Sequence, residues 1–427
     1  MQPTKFNHSP GSRPFRRGKP GFKSGGFRGG HSAGHGGFRG RGGHGPSRKS
    51  RFADKQFSDI SKFVNKATIT EQAEVFTPAH NFADFQIADK LKANIAAKGY
   101  KLPSPIQDKA IPHVLHGADV VGIANTGTGK TAAFLIPLID KVLRDPKQQI
   151  LIMVPTRELA TQIREELTGF TRNMGIWSVV CVGGASIIPQ IKQLRYKNNF
   201  VIGTPGRLKD LIEQKHIRLG EFQTVVLDEA DRMLDMGFIN DVKWMMSLMP
   251  QQRHTLFFSA TTTPEINGLI HQFLKNPIMI SVKTRDTSKS IDQDVVRIGR
   301  NDDKLLKLAE LLRSDGFSKV LVFGKTKHGV EKLAQKLTTM GLAAESIHGN
   351  KNFNHRQRSL GAFKDNKVKI LVATDVAARG LDIADVSHVI NFDLPATYED
   401  YIHRIGRTGR GGKKGIALTF IEDRTKA

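Results

Sequence analysis

Short apolar segments, each followed at once by small or polar residues, are the feature that most constrains the fold of this chain. Six of them are Val120 to Ala124, Ile150 to Val154, Val179 to Val182, Phe200 to Gly203, Val225 to Leu227 and Thr255 to Phe258. Apolar helical stretches lie between them, a pattern typical of parallel strands buried on both faces. In such a sheet ligands bind beyond the carboxyl ends of the strands, so the residues after each segment are the candidates for chemistry.

A second alternating series follows a polar, aperiodic stretch. Its strand candidates are Val295 to Ile298, Val320 to Phe323, Ala344 to Ile347, Ile370 to Ala373, His388 to Phe392 and Gly415 to Ile421. The sequence therefore predicts an α/β fold with two tandem parallel-sheet domains, at residues 81–282 and 293–427, joined by a linker at 283–292. A length of 427 residues also exceeds what one hydrophobic core usually organises.

The segment Ala124-Asn-Thr-Gly-Thr-Gly-Lys-Thr131 follows a strand candidate and precedes the apolar helix candidate Ala132 to Leu143. This context favours a phosphate-binding loop over a plain glycine-rich turn, although Ala124 stands where such loops usually begin with Gly. Backbone N–H groups of Thr126, Gly127, Thr128 and Gly129 would face phosphate. Lys130 would reach the outer phosphates and Thr131 would ligate Mg²⁺. ATP and Mg²⁺ are the expected cofactors.

The adjacent acids Asp228 and Glu229 follow the strand candidate Val225 to Leu227. Two neighbouring carboxylates at a sheet edge need a cation, because like charges repel in apolar surroundings. Asp228 is predicted to hold the metal and Glu229 to orient or deprotonate the attacking water. A surface charge pair is a poor alternative at the end of a buried strand.

Two arginines in the second domain, Arg407 and Arg410, are suited to stabilising negative charge on a transferring phosphoryl group. A basic surface loop is the alternative interpretation. If these arginines complete a site begun by Lys130 and Glu229, hydrolysis requires the two domains to close, and ATP acts as a clamp between them.

The net charge of +25 is concentrated near the amino terminus and indicates a polyanionic partner. Residues 1–53 hold 12 Lys or Arg and no Asp or Glu, with isolated Phe at 15, 22, 27 and 38. Residues 1–55 are therefore predicted to be a disordered tail of the RGG type that contacts RNA, with a merely solubilising tail as the alternative. Residues 56–80 are predicted to be a linker or a short docking segment.

The lone Cys181 is predicted to be a core thiol.

Taken together, these motifs resemble the DEAD-box RNA helicases of the general bacterial type. The resemblance covers about Phe82 to Glu422 and includes, in order, Ser104-Pro-Ile-Gln107, the phosphate loop, Pro155-Thr-Arg-Glu-Leu159, Thr204-Pro-Gly-Arg207, Asp228-Glu-Ala-Asp231, Ser259-Ala-Thr261, Arg379-Gly-Leu-Asp382 and His403 to Arg410. It implies two RecA-like domains and an RNA-dependent ATPase that locally unwinds short duplexes or remodels RNA–protein complexes.

The resemblance also assigns roles to further residues. Phe82 and Gln107 would recognise adenine, and Asp382 would contribute to ATP binding. Asp231 would couple the site to Ser259, Thr261 and His403. Single-stranded RNA would be held, largely without regard to sequence, by Arg157, Gly184, Thr204, Arg207, Thr326, Arg356, Thr374 and Arg379.

This chain departs from the family pattern in one motif, at its carboxyl end, and in carrying its basic tail at the amino terminus, whereas bacterial members more often carry it at the carboxyl terminus. Many members have Gln-x-x-Arg where this chain reads Phe353-Asn-His-Arg356, so the arginine is kept and its helper is absent. The sequence also ends soon after the last strand candidate, which indicates either a minimal second domain or a fragment.

The expected protein is cytoplasmic and monomeric, binds no membrane, and works on RNA in ribosomal or mRNA-decay complexes. No apolar run long enough for a membrane span occurs in the sequence. Two other functions stay open from the residues alone: a non-enzymatic, ATP-gated RNA clamp, and a DNA-acting ATPase of related fold.

Overall fold

The computed structural model describes residues 63–64, 76–125, 127–282, 291–300, 302–378, 383, 385–409 and 414–422. The basic tail at 1–55 and most of the segment at 56–80 lie outside these ranges, as does nearly all of the predicted linker. Within the described ranges, no helix has the length and apolar character that crossing a membrane requires.

The first domain is built on a seven-stranded sheet whose strands all run parallel. The sheet order is β3-β4-β2-β5-β6-β1-β7. The strands are β1 Val120–Ile123, β2 Ile150–Met153, β3 Ser178–Cys181, β4 Phe200–Gly203, β5 Thr224–Leu227, β6 His254–Ser259 and β7 Ile278–Ser281. The six predicted strands are confirmed to within one residue at each end. The edge strand β7 was not predicted, although Ile278, Met279 and Ile280 form a short apolar run; Ile278 and Met279 are exposed at the edge of the sheet.

Helices cover both faces of this sheet. They are α1 Asp89–Ala97, α2 Pro105–Leu115, α3 Lys130–Arg144, α4 Arg157–Phe170, α5 Ile187–Leu194, α6 Pro205–Glu213, α7 Ala230–Asp235, α8 Ile239–Ser247 and α9 Pro264–Phe273. Alternate strand residues point to opposite faces, so Ile150 and Ile152 join one hydrophobic core while Leu151 and Met153 join the other. Burial on both faces explains why the strands read as continuous apolar runs.

The second domain repeats this plan with six parallel strands in the order β10-β11-β9-β12-β13-β8. The strands are β8 Ile291–Ile298, β9 Val320–Phe323, β10 Ala344–Ile347, β11 Ile370–Ala373, β12 His388–Asn391 and β13 Gly415–Glu422. Its helices are α10 Lys304–Arg313, α11 Lys327–Thr339, α12 Phe353–Lys364, α13 Asp375–Ala378 and α14 Tyr398–Ile405.

The start of β8 corrects the predicted strand at Val295 and the predicted end of the linker. Ile291 and Asp292 were assigned to the linker, but they pair with Gly415 and Ile416 of β13. The mixed sequence of Ile291 to Asp294 hid this half of the strand, because its burial alternates with exposure as expected for an edge strand.

Phe63 lies in the core of the second domain although the chain continues from it into the first. Its side chain is fully buried, and its ring meets the ring of Tyr401 edge-on with centroids 4.9 Å apart. Ile291, Ile405 and Ala417 belong to the same hydrophobic cluster. Phe63 therefore attaches the segment before the first domain to the second domain.

Candidate active site and nucleic-acid interface

The order of strands in the first sheet divides the predicted site residues into two neighbouring groups. The carboxyl ends of β5, β6 and β1 are adjacent, and they carry Asp228 and Glu229, Ser259, and the phosphate loop. The ends of β3, β4 and β2 are adjacent on the other side, and they carry Gly184, Thr204 and Arg157. We call the first group the phosphate-loop half of the edge and the second the arginine half.

The phosphate loop leads directly into α3, whose first residue is Lys130. Gly129 has a φ of +94°, which side chains rarely adopt, and a Cβ there would clash with the amide of Gln107. The Lys130 ammonium is buried and donates to the carbonyl oxygen of Ala124 at 2.8 Å. An ammonium has three donor hydrogens, so two stay available for phosphate oxygens. Thr131 stands next on the helix and is half-buried.

The side chains of Gln107 and Ser104 hydrogen-bond to the backbone of the phosphate loop. The Gln107 amide nitrogen donates to the carbonyl oxygen of Gly129 at 3.1 Å, while its oxygen accepts from the Ser104 N–H at 2.9 Å. The Ser104 hydroxyl donates to the carbonyl oxygen of Thr128 at 2.7 Å. Phe82 lies in the core nearby, with its ring edge-on to Phe85. Both residues predicted to recognise adenine thus also support the loop and the core.

Asp228 and Glu229 are both buried at the end of β5. Burial raises the pKa of Asp228 to about 6, and Glu229 and Asp231 add to the shift while Lys130 opposes it. Burial alone would also raise the pKa of Glu229. The positive charges of Arg232, Lys130 and Arg407 outweigh burial, so the pKa of Glu229 is lowered. Glu229 is therefore anionic at neutral pH, and the Asp228 carboxylate favours a cation beside it.

Glu229 is held in an unusual backbone conformation. Its φ of 53° and ψ of 50° place it in the left-handed region, which costs free energy for a residue with a side chain. One carboxylate oxygen accepts from Arg232 Nη1 at 2.8 Å, and both side chains are buried. The strained turn and the arginine together fix where this carboxylate points.

Asp231 is brought together with two of its three predicted coupling partners. One carboxylate oxygen accepts from the Ala260 N–H at 3.1 Å and from the Thr261 hydroxyl at 3.4 Å. The Ser259 hydroxyl donates to the carbonyl oxygen of Thr261 at 2.8 Å, so Ser259 joins the network through Thr261. His403 lies on α14 of the second domain, beside Asp375, Asp400 and Arg407.

Arg407 follows α14 and is buried. Its Nε donates to the carbonyl oxygen of His403 at 3.3 Å, and its charge contributes to the lowered pKa of Glu229 in the first domain. The neighbouring Arg404 has a structural role, because its guanidinium bonds both carboxylate oxygens of Asp375. The second domain thus presents a positive charge to the acids of the first.

The arginine half of the edge concentrates positive charge. Burial lowers the pKa of Arg157, and the charges of Arg356 and Arg207 lower it further. The guanidinium of Arg207 donates to the carbonyl oxygen of Ala185 at 3.2 Å, and its Nε lies 3.6 Å from a carboxylate oxygen of Asp210. Its buried Nη1 makes no hydrogen bond to the described residues. Gly184, with a φ of +70°, allows the close approach of Arg157, whose guanidinium a Cβ there would overlap.

The second-domain residues predicted to bind RNA fall into two kinds. Thr326 is exposed at the end of β9, and Thr374 is half-buried at the end of β11. Arg356 is instead buried between the domains, with its Nε 2.8 Å from a carboxylate oxygen of Glu158 in α4. This ion pair makes Arg356 an interdomain contact, a role that the sequence did not indicate.

Four predicted residues lie outside the part of the chain that the structure describes: Thr126, Arg379, Asp382 and Arg410. Three features of the site were not predicted from the sequence: the roles of Glu158 and Arg232, and the support that Ser104 gives to the phosphate loop. No local pattern identifies Glu158, because Thr161 and Gln162, one turn further along the same face of α4, are polar. Cys181 is buried as predicted, and burial raises the pKa of its thiol to about 12.

No group of three or more His, Cys, Asp or Glu that could hold a metal occurs among the described residues. The described residues therefore do not supply a complete set of metal ligands on their own. One carboxylate and one hydroxyl, as at Asp228 and Thr131, match instead the way Mg²⁺ is held when phosphates and water complete its shell.

Two RecA-like parallel-sheet domains, with a phosphate loop and two buried acids on the first and the buried Arg407 on the second, define a nucleotide-hydrolysing class of protein. Family models match both domains in order: the DEAD/DEAH box helicase over residues 104–269 and the helicase conserved C-terminal domain over residues 303–412. The ATP-dependent RNA helicase CshA of Limosilactobacillus reuteri is 43% identical over 342 residues, which cover 80% of this chain and 69% of that protein. The chain belongs to the DEAD-box RNA helicases, a family of ATP-dependent, RNA-stimulated ATPases.

Solved structures are similar across both domains. Saccharomyces cerevisiae Dbp5 bound to RNA and ADP BeF3 is 30% identical, with a TM-score of 0.70, and the match covers 81% of this chain and 90% of that one. Mss116 bound to ssRNA and UDP-BeF is 29% identical, with a TM-score of 0.73, and the match covers 81% and 77% of the two chains. The predicted family and two-domain fold are therefore confirmed.

Proposed function

We propose that this chain binds single-stranded RNA across both domains and uses RNA-stimulated ATP hydrolysis to open short duplexes or to remodel RNA–protein complexes. The observation that carries the proposal is the division of one sheet edge into a phosphate-loop half and an arginine half. Both halves adjoin the second domain, because Lys364 lines the cavity of the phosphate-loop half and Arg356 makes an ion pair with Glu158 beside the arginine half. A movement of the second domain would therefore affect both sites together.

ATP and Mg²⁺ are assigned to the phosphate-loop half. A cavity of about 490 Å³ there is lined by Lys130, Thr131, Asp228 and Glu229, and by Lys364 from the second domain. Lys130 would bind the outer phosphates, and Thr131 and Asp228 would hold Mg²⁺, which neutralises phosphate charge when bound. The fit rests on the buried Asp228 carboxylate and on the spare donors of Lys130.

Glu229 is assigned to the attacking water. Its carboxylate is anionic, and the strained turn and the hydrogen bond from Arg232 hold it in a fixed direction. A carboxylate so placed can orient water and accept its proton. Arg407 and, outside the described residues, Arg410 are assigned to the charge that develops on the transferring phosphoryl group.

The arginine half is assigned to the RNA backbone. Arg157 and Arg207 provide guanidinium groups, and the buried Nη1 of Arg207, which makes no hydrogen bond to the described residues, suits a phosphate oxygen. Gly184, Thr204, Thr326 and Thr374 would border the same track. Contacts to phosphate and 2′-hydroxyl groups carry little sequence information, so broad RNA specificity is expected.

The remaining proposals concern the basic tail and the localisation, oligomeric state and partner complexes of the protein. We propose that residues 1–55 raise the local affinity for RNA through their positive charge and phenylalanines. We further propose that the protein is a cytoplasmic monomer that works within ribosomal or mRNA-decay complexes.

The sharpest test is Glu229→Gln, measured by phosphate release with saturating RNA. Hydrolysis should fall by about 100-fold or more, because general-base catalysis contributes about 10²–10⁴, while ATP-dependent RNA binding persists. Glu213→Gln is the control, because Glu213 is exposed at the end of α6. Hydrolysis by Glu229→Gln at the wild-type rate would refute the role of Glu229.

The same assay separates the two alternatives. An ATP-gated clamp binds RNA but neither hydrolyses ATP repeatedly nor displaces a strand. A DNA-acting ATPase is stimulated as strongly by single-stranded DNA as by RNA of the same length.

A further inference from the structure

Phe353 is a second-domain residue that packs on the core of the first domain. It is the first residue of α12, and its half-buried ring contacts the hydrophobic cluster on the α3 and α4 face of the first sheet. Phe353 is the only second-domain residue that the described structure joins to this cluster. The contact therefore crosses the boundary between the two domains.

The ring lies in a groove between the domains. The groove has a volume of about 710 Å³, and Val180, Val182 and Ala185 line it from the first domain while Phe353 and Gln357 line it from the second. The three first-domain residues are apolar, although the rest of the groove is largely polar. The aromatic ring of Phe353 thus faces an apolar surface. Excluding water from between them stabilises the contact.

Phe353 and Arg356 lie on the same face of α12. Residues three apart share a helix face, and Arg356 makes the buried ion pair with Glu158. A buried ion pair needs precise alignment and often contributes little net free energy, because desolvation offsets its attraction. An aromatic contact is less directional and contributes through burial. The ion pair and the ring therefore attach the same end of α12 to the first domain, and the ring does so through burial.

We propose that Phe353 is a positioning residue that stabilises the closed arrangement of the two domains. The proposal rests on the proposed function, in which closure accompanies RNA and ATP binding. A glutamine at this position has no ring to place on the apolar residues Val180, Val182 and Ala185. This chain should consequently close at lower RNA concentration than it would with glutamine there.

The expected effect follows from the area that the ring buries. Full burial of a phenylalanine changes an equilibrium constant by about 10- to 150-fold. The ring is half-buried, and a glutamine would retain the packing of its stem, so Phe353→Gln should raise the RNA concentration for half-maximal ATPase by about fivefold. This change corresponds to about 1 kcal/mol. The maximal rate should change little, because the ring touches none of the groups assigned to hydrolysis.

The test compares Phe353→Gln, Phe353→Met and the control Leu306→Gln, which changes an exposed apolar residue of α10 in the same domain. ATPase is titrated with RNA, and closure is followed by energy transfer between dyes at Ser247→Cys and Ser314→Cys, which are exposed in different domains. Cys181 does not interfere, because it is buried with a raised pKa. Methionine should restore most of the wild-type half-saturation, and the closed fraction at subsaturating RNA should fall only for Phe353→Gln.

A ring that stacks on a base would give a similar shift in half-saturation, so the titration is repeated with RNA that carries abasic sites. The proposal expects the fivefold shift to persist on abasic RNA. A shift that vanishes there, or a closed fraction equal to that of the wild type, would overturn it. Wild-type protein without RNA-stimulated hydrolysis would instead refute the proposed function, so the two failures are distinguishable.

Discussion

Neutralising one partner of the Arg356–Glu158 ion pair should impair RNA binding far more than neutralising both. Only 9% of the Arg356 side chain and 1% of the Glu158 side chain are exposed. Removing one partner of such a pair leaves the other charge buried without compensation, which costs about 3–5 kcal/mol. The cost applies to the closed arrangement, because separated domains let water reach the remaining charge. Arg356→Gln should therefore weaken ATP-dependent RNA binding by about 100-fold or more.

The double variant Glu158→Gln/Arg356→Gln provides the decisive comparison. Two amides can hydrogen-bond to each other, and no charge is left buried, so affinity should return to within about tenfold of the wild type. RNA binding is measured by fluorescence anisotropy with a non-hydrolysable ATP analogue for the wild type, both single variants and the double variant. The four affinities give the interaction free energy of the pair.

The outcome also decides between the two roles of Arg356. If Arg356 binds RNA phosphate, as the sequence predicts, the double variant loses that contact too and stays as weak as Arg356→Gln. An equal affinity for the single and double variants would therefore refute the interdomain role.

Two further predictions concern the arginine half of the edge and the tail. Gly184→Ala should weaken RNA binding by about tenfold while ATP binding is unchanged, because a Cβ at φ +70° is strained and overlaps the Arg157 guanidinium. Filter binding measures the effect, and Gly268→Ala is the control, because a Cβ there has open space. Equal affinities would show that Arg157 can move aside at little cost. Deleting residues 1–55 should weaken RNA binding and reduce its salt dependence, because part of the positive charge is lost, while maximal ATP turnover persists. An unchanged slope of affinity against salt concentration would mean that the tail acts only as a spacer.

The sequence predicted the strands and the residues at their ends because both depend on local patterns. Runs such as Ile150 to Val154 must be buried on both faces, and a lysine after Gly-Thr-Gly has few roles other than phosphate binding. The order of strands in the sheet depends on contacts that are distant in the chain. Only that order reveals that Arg157, Gly184 and Thr204 stand side by side, away from the phosphate loop.

The role of Arg356 could not be predicted for a similar reason. An arginine in a helicase motif suits RNA phosphate and a buried carboxylate equally well, and Glu158 is 198 positions away in the sequence. Phe353 was noticed only as a departure from a pattern, since nothing local indicates that a ring at the start of a helix packs on another domain. Edge strands were also predicted poorly from the sequence. Alternate residues of an edge strand are exposed and polar, which interrupts the apolar pattern, as at Ile291 to Asp294.

The burial of Phe63 bears on how the domains can move. Phe63 precedes the first domain in the chain, Ile291 follows it, and both belong to one cluster with Tyr401 in the second domain. In topological terms the stretch of chain that contains the first domain leaves the second domain at one place and returns to it at the same place. A movement of the first domain that preserves this cluster therefore leaves both attachment points fixed on the second domain.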